Sequence, residues 1–435
     1  MHTLDDLKRG RLAGTARLDL SCGLTQFPDE IFDLADSLEV LNLSGNALSS
    51  LPDDLGRLHR LKVLFCSHNH FIEVPASVGQ CRQLEMLGLR NNRIAHLPGA
   101  ALGPNLRALV LTDNCLEQLP EALGDCQLLQ KLMLAGNRLR ALPASLARCQ
   151  RLELLRVSAN QLNELPQWLL TLPNLAWLAY AGNPLPHGFV APQAPAQCEA
   201  IEWQAIALGE VLGQGASGVI HRVQVVGKQA ALKLYKGQMT SDGSPLNEMQ
   251  ASVAAGAHPH LIPLLGQVAN HPQQVPGLLM GLVDPGLCNL AGPPSLQSCT
   301  RDTYPADLRL GLQAVTRLAQ AIASVAAHLH QRGITHGDLY AHNILCDAQG
   351  NGLLGDFGAA SFFAPDASDT AAALQRIEVR AFGVLLGELL ARCAERSEAL
   401  AALQADCVQP QVLARPSFAE IEQVLRRQGR LLQEA

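Results

Sequence analysis

An asparagine recurs through the first half of the chain at intervals of 22 or 23 residues. Leucines keep fixed places before it, as Leu38, Leu41 and Leu43 do before Asn46. A constant period of this length indicates a solenoid, in which no single repeat buries its apolar face and each is stabilised by its neighbours. The recurring residues are Asn46, Asn69, Asn92, Asn114, Asn137, Asn160 and Asn183, and a proline follows six residues after each of the first six.

The unit from Leu38 to Pro52 resembles the leucine-rich repeat, whose pattern is L-x-x-L-x-L-x-x-N-x-L-x-x-L-P. The resemblance implies a short strand with inward leucines, followed by an asparagine that bonds backbone groups left unpaired at the turn. The segment Leu18–Pro28 lacks the asparagine, as expected of an N-terminal cap. We therefore expect residues 1–190 to form an α/β leucine-rich repeat solenoid with a cap and about seven repeats.

The outward strand positions of the repeats form two columns that are apolar for a solvated concave face. A contiguous apolar patch usually marks a protein contact. The sequence leaves two alternatives open, which are recruitment of a protein partner and packing against the rest of the chain or another copy. One column is Val40, Val63, Met86, Ala108, Lys131, Leu154 and Trp177, and its neighbour is Asn42, Phe65, Gly88, Val110, Met133, Arg156 and Ala179.

A second domain is expected after the repeats, because 435 residues exceed one ordinary core. Residues 191–204 include Pro192 and Pro195 in a stretch rich in Ala, Pro and Gln, which predicts a semi-rigid linker. Residues 205–435 then form the second domain.

The second half contains His336, Asp338 and Asn343 in the H-x-D-x-x-x-x-N spacing of a phosphotransferase catalytic loop. Downstream, Asp356 opens an Asp-Phe-Gly sequence after an apolar pair, so a further carboxylate lies on a turn after a predicted strand. A base beside an acceptor hydroxyl, together with oxygen ligands for a metal ion, is what phosphoryl transfer requires.

A glycine-rich segment lies upstream, with Gly213, Gly215 and Gly218 in G-x-G-x-x-G spacing. Glycines let a backbone turn approach phosphates, but this spacing also occurs in dinucleotide-binding folds, where a helix follows directly. The alternation of Val219–Val226 predicts a strand there instead. Lys233 ends an Ala-Ala-Leu-Lys run, and a lysine on a buried strand needs an anionic partner.

From about residue 206 to about residue 425 the chain resembles a protein kinase domain, with its motifs in the family's order. The resemblance implies an α+β bilobal fold, with Asp338 as catalytic base and with Asn343 and Asp356 as ligands of Mg²⁺. It also implies that Glu248 pairs with the lysine and that Met280 is the gatekeeper. The implied ATP-binding residues are Leu212, Gly213, Gly215, Gly218, Ile220, Lys233, Glu248 and Met280.

The sequence departs from the family at four places. Gly337 replaces the Arg that pairs with a phosphate on the activation segment, and Tyr340 replaces the Lys of Ser/Thr kinases. Glu378 stands for the Asp that supports the catalytic loop. No A-P-E sequence follows Asp-Phe-Gly, which leaves Arg415 without its usual partner. Ser361, Ser368 and Thr370 are candidate self-phosphorylation sites.

Three functions fit this sequence. An active serine/threonine protein kinase that uses ATP and Mg²⁺ is favoured, because Lys233, Asp338, Asn343 and Asp356 are all present. The His-Gly-Asp-Leu loop also resembles that of aminoglycoside and choline phosphotransferases, which act on small molecules. The third is a non-catalytic nucleotide-binding scaffold whose repeats bind a partner.

Charge, apolar runs and cysteine spacing limit which partners and which cellular location the sequence predicts. A net charge of −6, with acids and bases interleaved, gives no support for nucleic acid or an anionic membrane as partner. The charged N-terminus and the lack of a long apolar run predict a cytoplasmic protein. The 12 cysteines include no C-x-x-C pair, which favours reduced thiols over disulfides or zinc.

Overall fold

The structure is a computed structural model that describes residues 2–186, 198–215, 217–237, 239–240, 242–366 and 368–434. The chain forms two compact units, Met1–Leu172 and Pro173–Ala435. Half of the predicted linker, residues 191–197 with Pro192 and Pro195, lies outside the described residues. The second unit therefore includes the strand of the last repeat as well as the predicted kinase domain.

The first unit is a solenoid of short parallel strands that pair in chain order. Each residue pairs with the one at the same place in the next repeat, as Val40 does with Val63. Leu41 and Leu64 are fully buried, which confirms the inward leucines. After a short helix α1 (Leu4–Lys8), the strands are β1 (Arg17–Asp19), β2 (Val40–Asn42), β3 (Val63–Phe65), β4 (Met86–Gly88), β5 (Ala108–Val110), β6 (Lys131–Met133) and β7 (Leu154–Arg156).

Short 3₁₀ helices alternate with these strands. In most repeats a proline directly precedes the 3₁₀ helix with extended backbone, as Pro75 does with φ of −61°. Proline fits there because its φ is preset and its missing N–H removes no intrahelical bond. The segments are Asp29–Leu34, Leu55–Arg57, Ala76–Gln80, Gly99–Ala101, Glu121–Asp125, Ala144–Arg148 and Gln167–Thr171.

The recurring asparagines form a ladder inside the solenoid. Asn92 Oδ1 accepts a hydrogen bond from the backbone N–H of Phe71 at 3.0 Å. Its Nδ2 donates to the carbonyls of Cys66 and Leu89, each at 3.1 Å. One buried amide therefore satisfies backbone groups of two repeats, which an apolar residue at this place could not do.

The second unit begins with strand β8 (Trp177–Ala179) and continues into a six-stranded sheet. The strand order in this sheet is β10-β11-β12-β14-β13-β9, antiparallel except for the β9–β13 pair. Val223, Leu232 and Leu279 form its buried core. Its elements are β9 (Ala200–Glu202), β10 (Ile206–Gln214), β11 (Gly218–Val225), β12 (Lys228–Tyr235), helix α2 (Pro245–Ala255), β13 (Leu264–Ala269) and β14 (Gly277–Met280).

The remainder of the second unit is mainly helical. Helix α3 begins at Leu312, with Gly311 as its N-cap, and Leu310 before it donates its N–H to Arg392 O. The elements are β15 (Cys288–Asn289), α3 (Leu312–Gln331), β16 (Ile334–Thr335), β17 (Ile344–Cys346), β18 (Gly352–Leu354), β19 (Ser361–Phe362), α4 (Asp369–Leu390), α5 (Glu398–Cys407) and α6 (Phe418–Glu434).

The α/β solenoid followed by an α+β domain matches the predicted fold class. Among the described residues, no helix is both long and apolar enough to cross a membrane. The cysteines of the described chain are all free thiols.

Candidate active site

A cavity of about 270 Å³ lies beneath the hairpin formed by β10 and β11. Leu212 and Gly213 lie on β10 at the approach to the turn, where Gly213 pairs with Ile220. A Cβ on Gly218 would lie 2.5 Å from Leu234 O, so only glycine allows β11 to approach β12 there. The structure brings these predicted residues to the cavity wall: Gly215, Gly218, Ile220, Lys233, Glu248, Met280 and Asp356.

A buried ion pair lies in the cavity wall. Lys233 on β12 contacts Glu248 on α2, and their side chains are 13% and 4% exposed. Burial raises the pKa of the Glu248 carboxyl above its usual value, and the Lys233 ammonium opposes that rise. The carboxylate of Glu248 fixes the orientation of the Lys233 ammonium group. The other N–H donors of that group remain for phosphate oxygens, as a phosphate-binding lysine requires.

The catalytic loop lies between β16 and β17, and hydrogen bonds hold its side chains. His336 is fully buried, donates from Nε2 to Gly355 O at 2.9 Å and accepts at Nδ1 from the Asp338 N–H at 3.3 Å. Asn343 Nδ2 donates to both the carbonyl and the Oδ2 of Asp338, each at 2.9 Å. The structure therefore brings Asp338 and Asn343 together and ties them to the segment before Asp356.

Glu378 supports this loop from helix α4. Its Oε1 accepts the Gly337 N–H at 2.7 Å, and its Oε2 contacts His330 Nε2 at 2.7 Å. Burial acts to raise the pKa of Glu378, but the hydrogen bond and charge of His330 hold it below the usual value. A glutamate therefore fills the supporting place in which the family carries an aspartate.

Asp302 is a second support, which the sequence did not indicate. Its carboxylate accepts the Ala341 N–H at 2.5 Å and contacts His342 Nδ1 at 2.6 Å. Burial acts to lower the pKa of His342, but the hydrogen bond to Asp302 raises it above its ordinary value. Asp302 lies 36 residues before Asp338 in an irregular segment, so no local pattern marks it.

Asn343 and Asp356 lie at the same end of a hairpin. Asn343 directly precedes β17 and Asp356 follows β18, and Ile344 pairs with Leu354 in that hairpin. Asp356 adopts a φ of +57°, which aspartate tolerates, and its Oδ1 accepts the Gly358 N–H at 3.1 Å. Since Asn343 uses its Nδ2 for Asp338, its Oδ1 is the atom left for a cation.

These donors fit a magnesium ion that is bound together with phosphate oxygens. Mg²⁺ takes oxygen ligands, keeps several waters and is usually held by one or two carboxylates plus substrate phosphates. Within the described residues, no cluster of three or more His, Cys, Asp or Glu could hold a metal by itself. One amide oxygen and one carboxylate suit a metal that also binds the phosphates of a nucleotide.

Two departures from the family have a structural explanation. Tyr340 is 4% exposed, and its ring stacks on Trp177, so it does not take the place of a phosphate-binding lysine. Arg415 is 1% exposed and donates to the carbonyls of Gln409, Arg376 and Pro173 at 2.8 to 3.0 Å. Backbone oxygens thus satisfy the guanidinium that would otherwise pair with the missing carboxylate.

A glycine-rich hairpin over a cavity, a buried Lys–Glu pair and an Asp–Asn loop together define a fold of the protein kinase type. Residues 206–379 match the family model of the protein kinase domain, and residues 15–71 and 82–139 match that of the leucine rich repeat. The chain therefore contains leucine-rich repeats in its first half and a protein kinase domain in its second half.

Several curated kinases are similar to the chain. An L-type lectin-domain containing receptor kinase S.7 of Oryza sativa is 29% identical over 207 residues, 42% of this chain and 28% of the relative. CBL-interacting protein kinase 22 of the same species is 30% identical over 174 residues, 36% of each protein. The DNA damage-responsive serine/threonine-protein kinase RqkA of Deinococcus radiodurans is 28% identical over 170 residues, 38% of this chain and 23% of the relative.

The chain thus spans about a third or less of the length of these relatives. A solved leucine-rich repeat protein of Leptospira interrogans is 31% identical, with a TM-score of 0.34, over 39% of this chain and 50% of that chain.

Proposed function

We propose that the protein is a serine/threonine protein kinase that transfers the γ-phosphate of ATP to protein hydroxyls, with Mg²⁺ as the metal. The observation that carries the proposal is that the second compact unit contains both a phosphate-binding pair and a catalytic Asp–Asn pair. Lys233 and Glu248 pair in the cavity wall, and Asn343 is hydrogen-bonded to Asp338. The names of the similar kinases support the same activity.

Each predicted residue then has a role. The glycine hairpin, with Leu212, Gly213, Gly215, Gly218 and Ile220, would cover the nucleotide, and Met280 in the cavity wall would lie beside the adenine. Lys233 would align the phosphates, and Glu248 would orient the ammonium group of Lys233. Most of the acceleration would come from this positioning and from charge neutralisation.

Asp338 is the proposed catalytic base. It would accept the proton of an acceptor hydroxyl, and the Asn343 hydrogen bond fixes the carboxylate for that purpose. The remaining oxygens of Asn343 and Asp356 would hold Mg²⁺. When bound, the metal neutralises charge on the phosphates during transfer.

The repeats are proposed to recruit the substrate or another protein partner through their concave face. Val40 and Phe65 on this face are half-buried apolar residues, and neither belongs to the second compact unit. We assign residues 1–190 to the repeat domain, 191–204 to the linker and 205–435 to the kinase domain by sequence pattern, and we place the protein in the cytoplasm.

One observation favours a second candidate, a small-molecule phosphotransferase. Only ten residues, 359–368, separate Asp-Phe-Gly from the start of α4, so little chain is available to dock a peptide. Such an enzyme would phosphorylate an alcohol of the aminoglycoside or choline type.

The test is transfer from γ-labelled ATP with Mg²⁺ by the full-length protein and its Asp338→Asn variant. Generic protein acceptors, the protein itself and a panel of amino alcohols are offered. We expect label on Ser or Thr, with a rate that falls by about 10²–10⁴ in the variant. Asp347→Asn is the matched control, because Asp347 is an exposed turn carboxylate that caps Gln349 and Asn351. Label on an amino alcohol alone, or no label at all, contradicts the proposal.

A further inference from the structure

The strand of the last repeat touches the catalytic loop directly after Asp338. Trp177 on β8 donates from Nε1 to the carbonyl of Leu339 at 3.2 Å. Its ring stacks on Tyr340, with centroids 4.2 Å apart and planes 8° apart. Trp177 is only 1% exposed. A hydrogen bond and an aromatic stack on two consecutive residues restrict the orientation of the backbone that carries Asp338.

The same strand closes the space before Asp338. Gly337 has a φ of +72°, which favours glycine, and a Cβ there would lie 2.4 Å from Ala359 O and 2.9 Å from Leu178 O. Where the family carries an arginine, this chain has no room for a side chain. The backbone of β8 and the segment after Asp-Phe-Gly occupy that room.

The last repeat also holds the segment after Asp-Phe-Gly. The backbone N–H of Tyr180 donates to Ser361 Oγ at 3.0 Å, and its hydroxyl donates to Phe362 O at 3.2 Å. Ser361 and Phe362 form β19, which pairs with β16 just before the catalytic loop. The first part of the segment after Asp-Phe-Gly therefore contains a short buried strand, and Ser361 itself is fully buried.

Two arginines anchor the turn that leads into β8. Arg415 donates to Pro173 O at 2.8 Å, and Arg380 donates from Nε to Asn174 O at 3.2 Å and from a terminal nitrogen to Asn174 Oδ1 at 2.5 Å. Arg415 comes from the segment before α6 and Arg380 from α4. The last repeat is thus bound at its entry, its strand and its end within one compact unit.

We infer that the last repeat permanently holds the catalytic loop in its working geometry, in place of a phosphorylated activation segment. Trp177 is the positioning residue through which it acts on Asp338. In kinases regulated at this segment, phosphorylation brings a new arginine–phosphate pair that orders the site. Here buried hydrogen bonds and an aromatic stack provide the order, and the arginine is replaced by Gly337. This inference rests on the proposed kinase activity.

The experiment compares Trp177→Ala, Trp177→Phe and Trp203→Ala in the full-length protein. Trp203 is the matched control, because it also makes an aromatic contact in the second unit, with His271 at 4.2 Å, away from the catalytic loop. For Trp177→Ala we expect kcat to fall by about 10- to 100-fold, the scale of a small misplacement of a catalytic group, with KM for ATP unchanged within about twofold. Trp177→Phe keeps a stacking ring and should recover most of kcat, while Trp203→Ala should stay within about twofold of the unaltered protein.

Hydrogen–deuterium exchange of residues 336–343 is the second readout, and it does not depend on activity. Trp177→Ala should speed exchange in this loop, and Trp203→Ala should not. If the unaltered protein transfers no phosphate, the proposed function fails while the exchange result still decides the positioning role. An unchanged kcat with a raised KM for the acceptor, or exchange rates in the loop equal to those of the control, would overturn the inference.

Discussion

The regular repeats of the first unit and the last repeat of the second share one sequence pattern but differ in what their outward residues contact. In both, the asparagine donates to the carbonyl three residues earlier, as Asn92 does to Leu89 at 3.1 Å and Asn183 does to Tyr180 at 2.8 Å. On the outward face, Lys131 is half-exposed, whereas Trp177 is buried on the catalytic loop. The period therefore determines the inward half of a repeat and leaves the outward half open to a new role.

The largest expected effect comes from adding one methyl group where the last repeat meets the catalytic loop. Gly337→Ala places a Cβ 2.4 Å from Ala359 O at a φ of +72°. We expect a loss of about 2–4 kcal/mol in the free energy of unfolding of the second unit, together with a fall in kcat of more than about tenfold. Gly311→Ala is the control, since a Cβ there would meet nothing within 4 Å. Denaturant titration and initial rates measure both, and an equal response of the two variants would break the comparison.

The ladder asparagines offer a direct comparison of the two kinds of repeat. Asn92→Ala removes the acceptor of the Phe71 N–H, while the carbonyls of Cys66 and Leu89 each keep a hydrogen bond from a neighbouring ladder asparagine. The change should cost about 1–3 kcal/mol in the first unit. The kcat of the folded Asn92→Ala variant should not change. Asn183→Ala should lower stability to a similar extent and also lower kcat, because Tyr180 directly follows β8, the strand that contacts the catalytic loop. Thermal unfolding combined with initial rates checks this, and a kcat that falls equally in both variants contradicts it.

A smaller expected effect is that the stability of the second unit depends on pH through one buried carboxyl group. Glu388 on α4 accepts the Tyr304 hydroxyl at 2.9 Å, and burial raises its pKa from 4.5 to about 7. The folded protein therefore binds this proton more tightly than the unfolded chain, so stability falls as pH rises from 4.5 to 7 and stays lower above that range. Glu388→Gln should remove about 1–3 kcal/mol of this pH-dependent loss.

Denaturant titrations at pH 5 and pH 8 measure that difference. Glu85→Gln is the control, because Glu85 pairs with Arg107 at the surface of the first unit, with a side chain 35% exposed. The control should keep the pH dependence of the unaltered protein. An identical pH dependence in the Glu388 variant would show that this carboxyl does not titrate near neutrality.

The smallest expected effect is that of phosphatase treatment. Ser361 is fully buried, and residue 337 is a glycine, so a phosphate on the exposed Ser368 would find no arginine at that position. Treatment with a general phosphatase, checked by intact mass, should change kcat by less than about twofold. A large loss of activity would show that a phosphorylated residue regulates this site after all.

Much of the fold could be predicted from local pattern. Leu41 is buried because a strand with period 2 directs it inward, and the 23-residue spacing repeats that geometry. The approach of Lys233 to Glu248 was also predictable, because a buried lysine requires an anion and α2 contains one acidic residue. In each case the signal lies within one element or between elements close in sequence.

The supports of the catalytic loop could not be predicted in this way. Trp177 and Tyr340 are 163 residues apart, and Trp177 occupies an ordinary place in the repeat pattern. Asp302 lies in an irregular segment before α3, and its partner His342 is 40 residues away. Tertiary packing alone brings such residues together. Gly337 was the one local sign, because a glycine replaced a functional arginine.

The most direct test of the central claim is a double-mutant cycle on kcat with Trp177→Ala, Tyr340→Ala and the combined variant. If the last repeat acts on the catalytic loop through this stack, the two single losses overlap. The combined variant should then lose less than the sum of the two, by a coupling energy of about 0.5–1.5 kcal/mol. Strictly additive losses would show that Trp177 and Tyr340 act independently, and the last repeat would then be a neighbour of the catalytic loop and not its support.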